Sequence, residues 1–143
     1  MDSGLFRAAL NNGDSIEAGL VMYATGRRPN IDGLGLENTT IETRSNGAIV
    51  VDDYFQTAEP SIYAIGDVIG RVELTPVAIN EGMALTKTLV TGVPTTIDYT
   101  NIPTAVFSQP NTASVGLTEE QARGQYGDNI RIYRSRFRAM KET

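Results

Sequence analysis

The sequence predicts a mixed architecture, α/β passing into α+β, assembled from pieces of more than one domain. Three features carry that prediction. A lone hairpin opens the chain, a loop-rich middle holds few strands and one helix, and an α+β segment at the end is left unfinished. Such elements do not close one layered core, because each sheet face and helix stripe must be covered by another element. The chain is therefore expected to hold pieces of several domains and not one whole domain.

The hairpin spans 5–23, where LFRAAL and SIEAGLVMY flank Asn11-Asn12-Gly13-Asp14. Asn-Gly supplies the positive-φ positions of a tight turn. Its second arm, Gly19–Ala24, is apolar on both faces and reads as a doubly buried strand. Thr25–Asn30 is a string of breakers, and Gly33 and Gly35 punctuate a compact loop. Strands are predicted over Ala48–Val51 and Ser61–Ile65, with Asp53–Glu59 connecting them. A helix follows, with Thr75 at N-cap, Pro76 at N1 and an end at Gly92-Val93-Pro94. Ile102–Phe107 and Ala113–Leu117 read as strands. Thr118 and Gln121 form a capping-box pattern for a helix to about Tyr126, and Asn129–Phe137 alternates as a half-exposed strand. No internal repeat or low-complexity tract is present.

Composition narrows function. The 143 residues are 41% hydrophobic and 20% charged, which suits a globular chain. Net charge is −5, and the one basic run, RIYRSRFR, reads as the solvated side of a strand, so nucleic-acid binding is not expected. No apolar run is long enough to span a bilayer, and MDSGLFRAAL lacks a signal-peptide pattern, which makes cytoplasm the default expectation. Without Cys or His, the chain cannot itself supply a thiol nucleophile, an imidazole acid–base step or a Cys/His metal site.

Candidate chemistry concentrates in SIYAIGDVIGRVELTPVAINEG, residues 61–82. A strand running into Gly66-Asp67 sets a carboxylate at the carboxyl end of a sheet, where open α/β folds bind ligands. Gly66 admits close backbone or ligand approach. Ionised Asp67 is an acceptor suited to sugar or polyol hydroxyls. Beyond it, the free N–H groups of the helix starting at Thr75-Pro76 favour an anion or a carbonyl gaining electron density. Taken singly, Gly-Asp is also an ordinary turn and Thr-Pro an ordinary helix start. Their order and spacing suit a ligand with a polyol at one end and an electron-accepting ring at the other.

Three stretches together resemble the FAD-dependent pyridine nucleotide–disulfide oxidoreductases: ATGRRPN (24–30), residues 61–82, and NIPTAVFSQPNTASVGLTEEQA (101–122). Within that family, LTPVA and the IPTAVFSQP…VGLTEEQA run are most similar to the glutathione reductases. The resemblance implies a FAD/NAD(P)-binding fold with two dinucleotide-binding domains, followed by an α+β dimer-interface domain. Residues 1–23 would end the NADPH domain, 24–99 would form the second part of the FAD domain, and 100–143 would begin the interface domain.

The resemblance further implies that Asp67, with Gly66 beside it, holds the flavin ribityl hydroxyls. Thr75, after Leu74, would present its backbone N–H to the pyrimidine edge of the isoalloxazine. Glu73 and Ala105 would line the nicotinamide side, and Gly26 would lie near NADPH. Arg27 stays open between a cofactor contact and a structural loop role. The implied activity passes reducing equivalents from NADPH through FAD and a cysteine pair to glutathione disulfide, in a homodimer. Those cysteines and a His-Glu pair would lie outside these residues, so the isolated chain is expected to reduce no disulfide. Where some glutathione reductases carry a substrate-holding arginine after Gly82, this chain has Met83. A mercuric or trypanothione-type reductase, or a non-catalytic flavin-binding or interaction module, are the alternative expectations.

Overall fold

The computed structural model describes residues 4–136. Strands β1 (Phe6–Ala9) and β2 (Ser15–Ala18) pair antiparallel, in register from Phe6 opposite Ala18 to Ala9 opposite Ser15. The turn between them is closed by Leu10 N–H donating to Asp14 O at 2.8 Å and by Asp14 N–H donating to Asn12 Oδ1 at 3.0 Å. The predicted continuation over Gly19–Ala24 is not a strand. Ladder hydrogen bonds stop at Ala18, and the apolar residues beyond it, such as Leu20, Met22 and Tyr23, are exposed. A doubly apolar sequence forms a strand only where neighbours pair its backbone, and none among the described residues does.

The core belongs to the middle of the chain. Ala48, Ile49, Val51, Phe55, Ala64 and Ile69 are buried together with Val77 and Ala84. Ile31, Leu36, Ile41, Val68, Leu85 and Ile97 pack around them. The predicted strands at 48–51 and 61–65 are reduced to single antiparallel bridges, Thr43 with Ile49 and Gln56 with Tyr63. Neighbouring contacts are turn-like, as where Arg44 N–H donates to Ala48 O and Thr57 N–H to Ile62 O. The apolar side chains still drive burial here, because hydrophobic stabilisation follows area removed from water and not ladder length.

Helix α1 (Thr75–Thr91) buries Val77, Glu81 and Ala84, one stripe at helical spacing. Its N-cap is Leu74, extended at φ −133° and ψ 130°, so Thr75 occupies N1 and Pro76 the second helical position. This corrects the predicted N-cap by one residue. Leu74 O already accepts from Val77 N–H at 2.9 Å and Ala78 N–H at 3.0 Å, which defines the cap, and proline costs nothing at a position that needs no donor. Gly92 closes the helix in the left-handed region at φ 69°, as its place before Val93-Pro94 predicts.

Strands β3 (Thr104–Val106) and β4 (Thr112–Ser114) form a second, short antiparallel pair. Helix α2 (Glu119–Tyr126) starts with the complete capping box: Thr118 Oγ1 accepts from Gln121 N–H at 3.1 Å, and Gln121 Oε1 accepts from Thr118 N–H at 2.9 Å. The alternating run after Asn129 is not a strand through residue 136, since no partner strand is present among the described residues. Phe137, the last residue of that predicted run, lies outside the described residues. Among the described residues all buried positions fall between Pro29 and Ala84, so both hairpins sit outside the core.

Candidate cofactor-binding site

Ile65 leads in extended conformation into a single 3₁₀ turn, Gly66–Ile69, which packs against α1. Gly66 has φ 72°, and a Cβ built on it would lie 3.2 Å from Ala78 Cβ in the first turn of the helix. Only glycine meets both conditions without displacement. The close approach seats the turn that carries Asp67 against the helix that starts eight positions further along the chain. The Asp67 carboxylate is exposed and accepts no hydrogen bond from the described residues. At the helix start, Val77 and Ala78 N–H are taken by Leu74 O and Pro76 has none, which leaves Thr75 N–H without an acceptor among the described residues.

Behind this surface is a buried polar relay. Glu81 is 1% exposed. One of its oxygens accepts the Gly66 N–H and the other accepts Tyr99 Oη–H at 2.7 Å. Tyr99 Oη in turn accepts from Arg71 Nη1 at 3.2 Å. Arg71 also donates to Asp52 O at 2.8 Å, and its guanidinium lies 5.8 Å from the Phe55 ring centroid and 5.3 Å from that of Tyr99. Burial, reinforced by the neighbouring Glu81 carboxylate, raises the Tyr99 phenol above its usual range, while Arg71 opposes that shift. No buried side-chain polar atom among the described residues lacks a partner. The relay meets the requirement that a buried carboxylate be fully hydrogen-bonded.

The sequence reading singled out Asp67, Gly66 and Thr75 but passed over Glu81, Tyr99 and Arg71. A signal for Glu81 was available: it falls four residues after Val77 and three before Ala84, on the apolar stripe of the helix. A carboxylate there must meet donors from another element.

The remaining candidates are more scattered. Leu74 is half-buried and lines a cavity of about 680 Å³ between α1 and residues 95–103, with Pro76, Met83 and Lys87 also on its wall. Asp67 and Thr75 lie outside that cavity. Glu73 is exposed. Gly26, at φ 100°, and Arg27 are exposed on their loop, where Arg28 and not Arg27 forms an ion pair, with Asp32 at 3.0 Å. Ala105 sits on β3 opposite Ala113, exposed. Among the described residues no hydrogen bond or ion pair joins Gly26, Arg27 or Ala105 to the Gly66–Asp67 turn. Among the described residues no cluster of carboxylates could hold a metal ion, and no helix is long and apolar enough to cross a membrane.

A carboxylate acceptor and an unpaired helix-start N–H are the polar groups that this glycine turn offers to a ligand. Residues 2–82 match the family model described as pyridine nucleotide-disulphide oxidoreductase, and residues 102–143 match that family's dimerisation domain. The chain belongs to the pyridine nucleotide-disulphide oxidoreductase family. Among its relatives, glutathione reductase of Burkholderia cepacia is 51% identical over 138 residues, covering 96% of this chain and 30% of the relative. The chloroplastic/mitochondrial glutathione reductase of Pisum sativum is 56% identical over 123 residues, covering 86% of this chain and 22% of the relative. Among solved structures, the Cu(II) complex of the HOCl-induced flavoprotein disulfide reductase RclA from Escherichia coli superposes with a TM-score of 0.78 at 31% identity, covering 88% of this chain and 29% of that one. The chain therefore spans less than a third of the length of these relatives.

Proposed function

We propose that this chain supplies the flavin-holding turn and the start of the dimer interface of an NADPH-dependent, FAD-containing disulfide reductase acting on glutathione disulfide. The observation that carries the reading is the Gly66–Asp67 turn seated against the first turn of α1, with an uncommitted carboxylate on one side and the unpaired Thr75 N–H on the other. Asp67 is suited to accept hydrogen bonds from the ribityl hydroxyls of FAD. Thr75 N–H, backed by the partial positive charge of the helix start, is suited to the edge of the ring that gains electron density on reduction. FAD, when bound, supplies the chemistry of accepting a hydride from NADPH and passing two electrons to a disulfide. On family resemblance alone, Glu73 and Ala105 are assigned to the nicotinamide side and Gly26 to NADPH, while Arg27 stays open between a cofactor contact and a structural loop role.

The relatives' names support the glutathione assignment, and the match to a dimerisation domain supports a homodimer. Thiols for the reaction must come from outside these 143 residues, which contain no cysteine. Met83, exposed on the rim of the α1 cavity, favours a second reading in which the substrate is another low-molecular-weight disulfide. Cytoplasm remains the proposed compartment on the sequence default, with the organelle of the pea relative as the competing location.

Replacing Asp67 by alanine in the full-length protein tests the reading. A hydrogen bond to a charged acceptor is worth about 1.5–3 kcal/mol, so FAD affinity should fall roughly tenfold or more. Flavin content and dissociation rate equal to the unmodified protein, at equal folding, would remove Asp67 from the site.

A further inference from the structure

We propose that Glu81 and Tyr99 form a latch that holds the Gly66–Asp67 turn in its cofactor-binding shape, with Glu81 as a positioning residue. The inference rests on the flavin reading of Asp67 given above and adds what fixes that residue in place. Glu81 spans fifteen positions back to Gly66 and eighteen forward to Tyr99. Its carboxylate is buried, and no cation among the described residues lies within ion-pair distance of it. Its charge is therefore met by two donors, the Gly66 N–H and the Tyr99 O–H, and losing either leaves a buried acceptor short of a partner.

Direction matters in this relay. Arg71 can only donate, so Tyr99 Oη accepts from it and turns its own proton toward Glu81. Glu81 can only accept, so it holds the Gly66 N–H with its second oxygen. Gly66 lies at φ 72° with Ala78 Cβ 3.2 Å from where a side-chain Cβ would stand, so the same residue is held both by packing on the helix and by this hydrogen bond. Asp67 follows directly. At the other end, Tyr99 closes the segment that runs into residue 102, where the match to the dimerisation domain begins. The latch thus ties the cofactor turn to the approach of the interface unit.

A glutamine at position 81 replaces one carboxylate oxygen by an N–H donor and removes the charge, so the Gly66 N–H and the Tyr99 O–H no longer each meet a charged acceptor and the bonds that hold the turn weaken. Phenylalanine at position 99 removes the other donor and leaves the ring packing. The test compares Glu81→Gln, Tyr99→Phe and Asp67→Ala in the full-length protein. The Gly66 amide exchange rate is measured in the apoprotein and FAD dissociation in the holoprotein. The expected result is faster Gly66 exchange, together with FAD dissociation raised about tenfold, in the first two variants. Asp67→Ala should raise FAD dissociation while leaving Gly66 exchange unchanged. If Glu81→Gln does not fold, Tyr99→Phe decides alone. Unchanged FAD dissociation in Tyr99→Phe and Glu81→Gln, with Asp67→Ala raised, overturns the latch and leaves the Asp67 reading standing. Unchanged FAD dissociation in Asp67→Ala overturns the flavin reading, and the latch's role in cofactor binding with it.

Discussion

Alanine in place of Gly66 adds a single methyl group at the point where the turn meets α1. Two costs and one gain set its effect. An L-residue held in the left-handed region, here φ 72°, costs roughly 1–2 kcal/mol. The new Cβ would stand 3.2 Å from Ala78 Cβ, inside the roughly 3.5–4.0 Å optimum for carbon pairs, and its neighbour is on a helix that cannot give way freely. Overpacking of this kind costs about 1 kcal/mol at its mild end. Against these, alanine restricts the unfolded chain and returns about 0.5 kcal/mol. The expected net loss is about 2 kcal/mol, or roughly thirtyfold in the folding equilibrium. The urea midpoint of the full-length protein reads this directly, and FAD dissociation measured in parallel shows whether the turn carries the cofactor. Gly13→Ala serves as the control: φ is 90° and no atom lies within 4 Å of the added Cβ, so only the backbone cost remains. Equal midpoints for Gly66→Ala and the unmodified protein would refute the close-packed turn.

Other expectations address the core, the cap and pH. Phe55 is fully buried beneath Arg71, so Phe55→Ala should cost about 3–5 kcal/mol by urea denaturation and leave Arg71 stacked on Tyr99 alone. Thr118→Ala removes the side-chain acceptor of the capping box, and a loss of about 1 kcal/mol is expected, with faster amide exchange at Gln121. The Tyr99 phenol is raised from its ordinary 10.0 by burial and by Glu81. A raised pKa means that the folded state holds the proton more tightly. The stabilisation is therefore complete below 10.0 and is lost as pH climbs through the higher folded value. Urea midpoints on the alkaline side should fall more steeply for the unmodified protein than for Tyr99→Phe, and parallel curves would contradict the burial of that hydroxyl.

Much of the local structure was legible because it rests on side chains acting within a few residues. The capping box at Thr118 and Gln121, the left-handed stop at Gly92 and the turn over Asn11–Asp14 formed where the residue types placed them, although of the Asn12-Gly13 pair only Gly13 takes the positive φ. Even the Gly-Asp break before a proline-marked helix could be read as half of a ligand site, since glycine, carboxylate and free N–H groups each have a short-range chemical meaning. Strands were less legible. Gly19–Ala24, Ala48–Val51, Ser61–Ile65 and the run after Asn129 carry apolar or alternating patterns, yet a strand also needs a partner backbone, which pattern alone cannot supply.

The sequence by itself determined where the chain turns and where the two α-helices of the described residues begin and end to within a residue, and it marked Gly66, Asp67 and Thr75 as candidates. Tertiary structure alone decided that Leu74 and not Thr75 caps α1, because the cap is defined by which carbonyl the first helical N–H groups choose. It also decided that Glu81, Tyr99 and Arg71, spread over 28 positions, converge behind Gly66. The physical reason is the same in both cases. A buried polar group is satisfied by whichever donor the folded chain brings within hydrogen-bonding distance, and that partner is set by packing across the core, not by spacing along the chain.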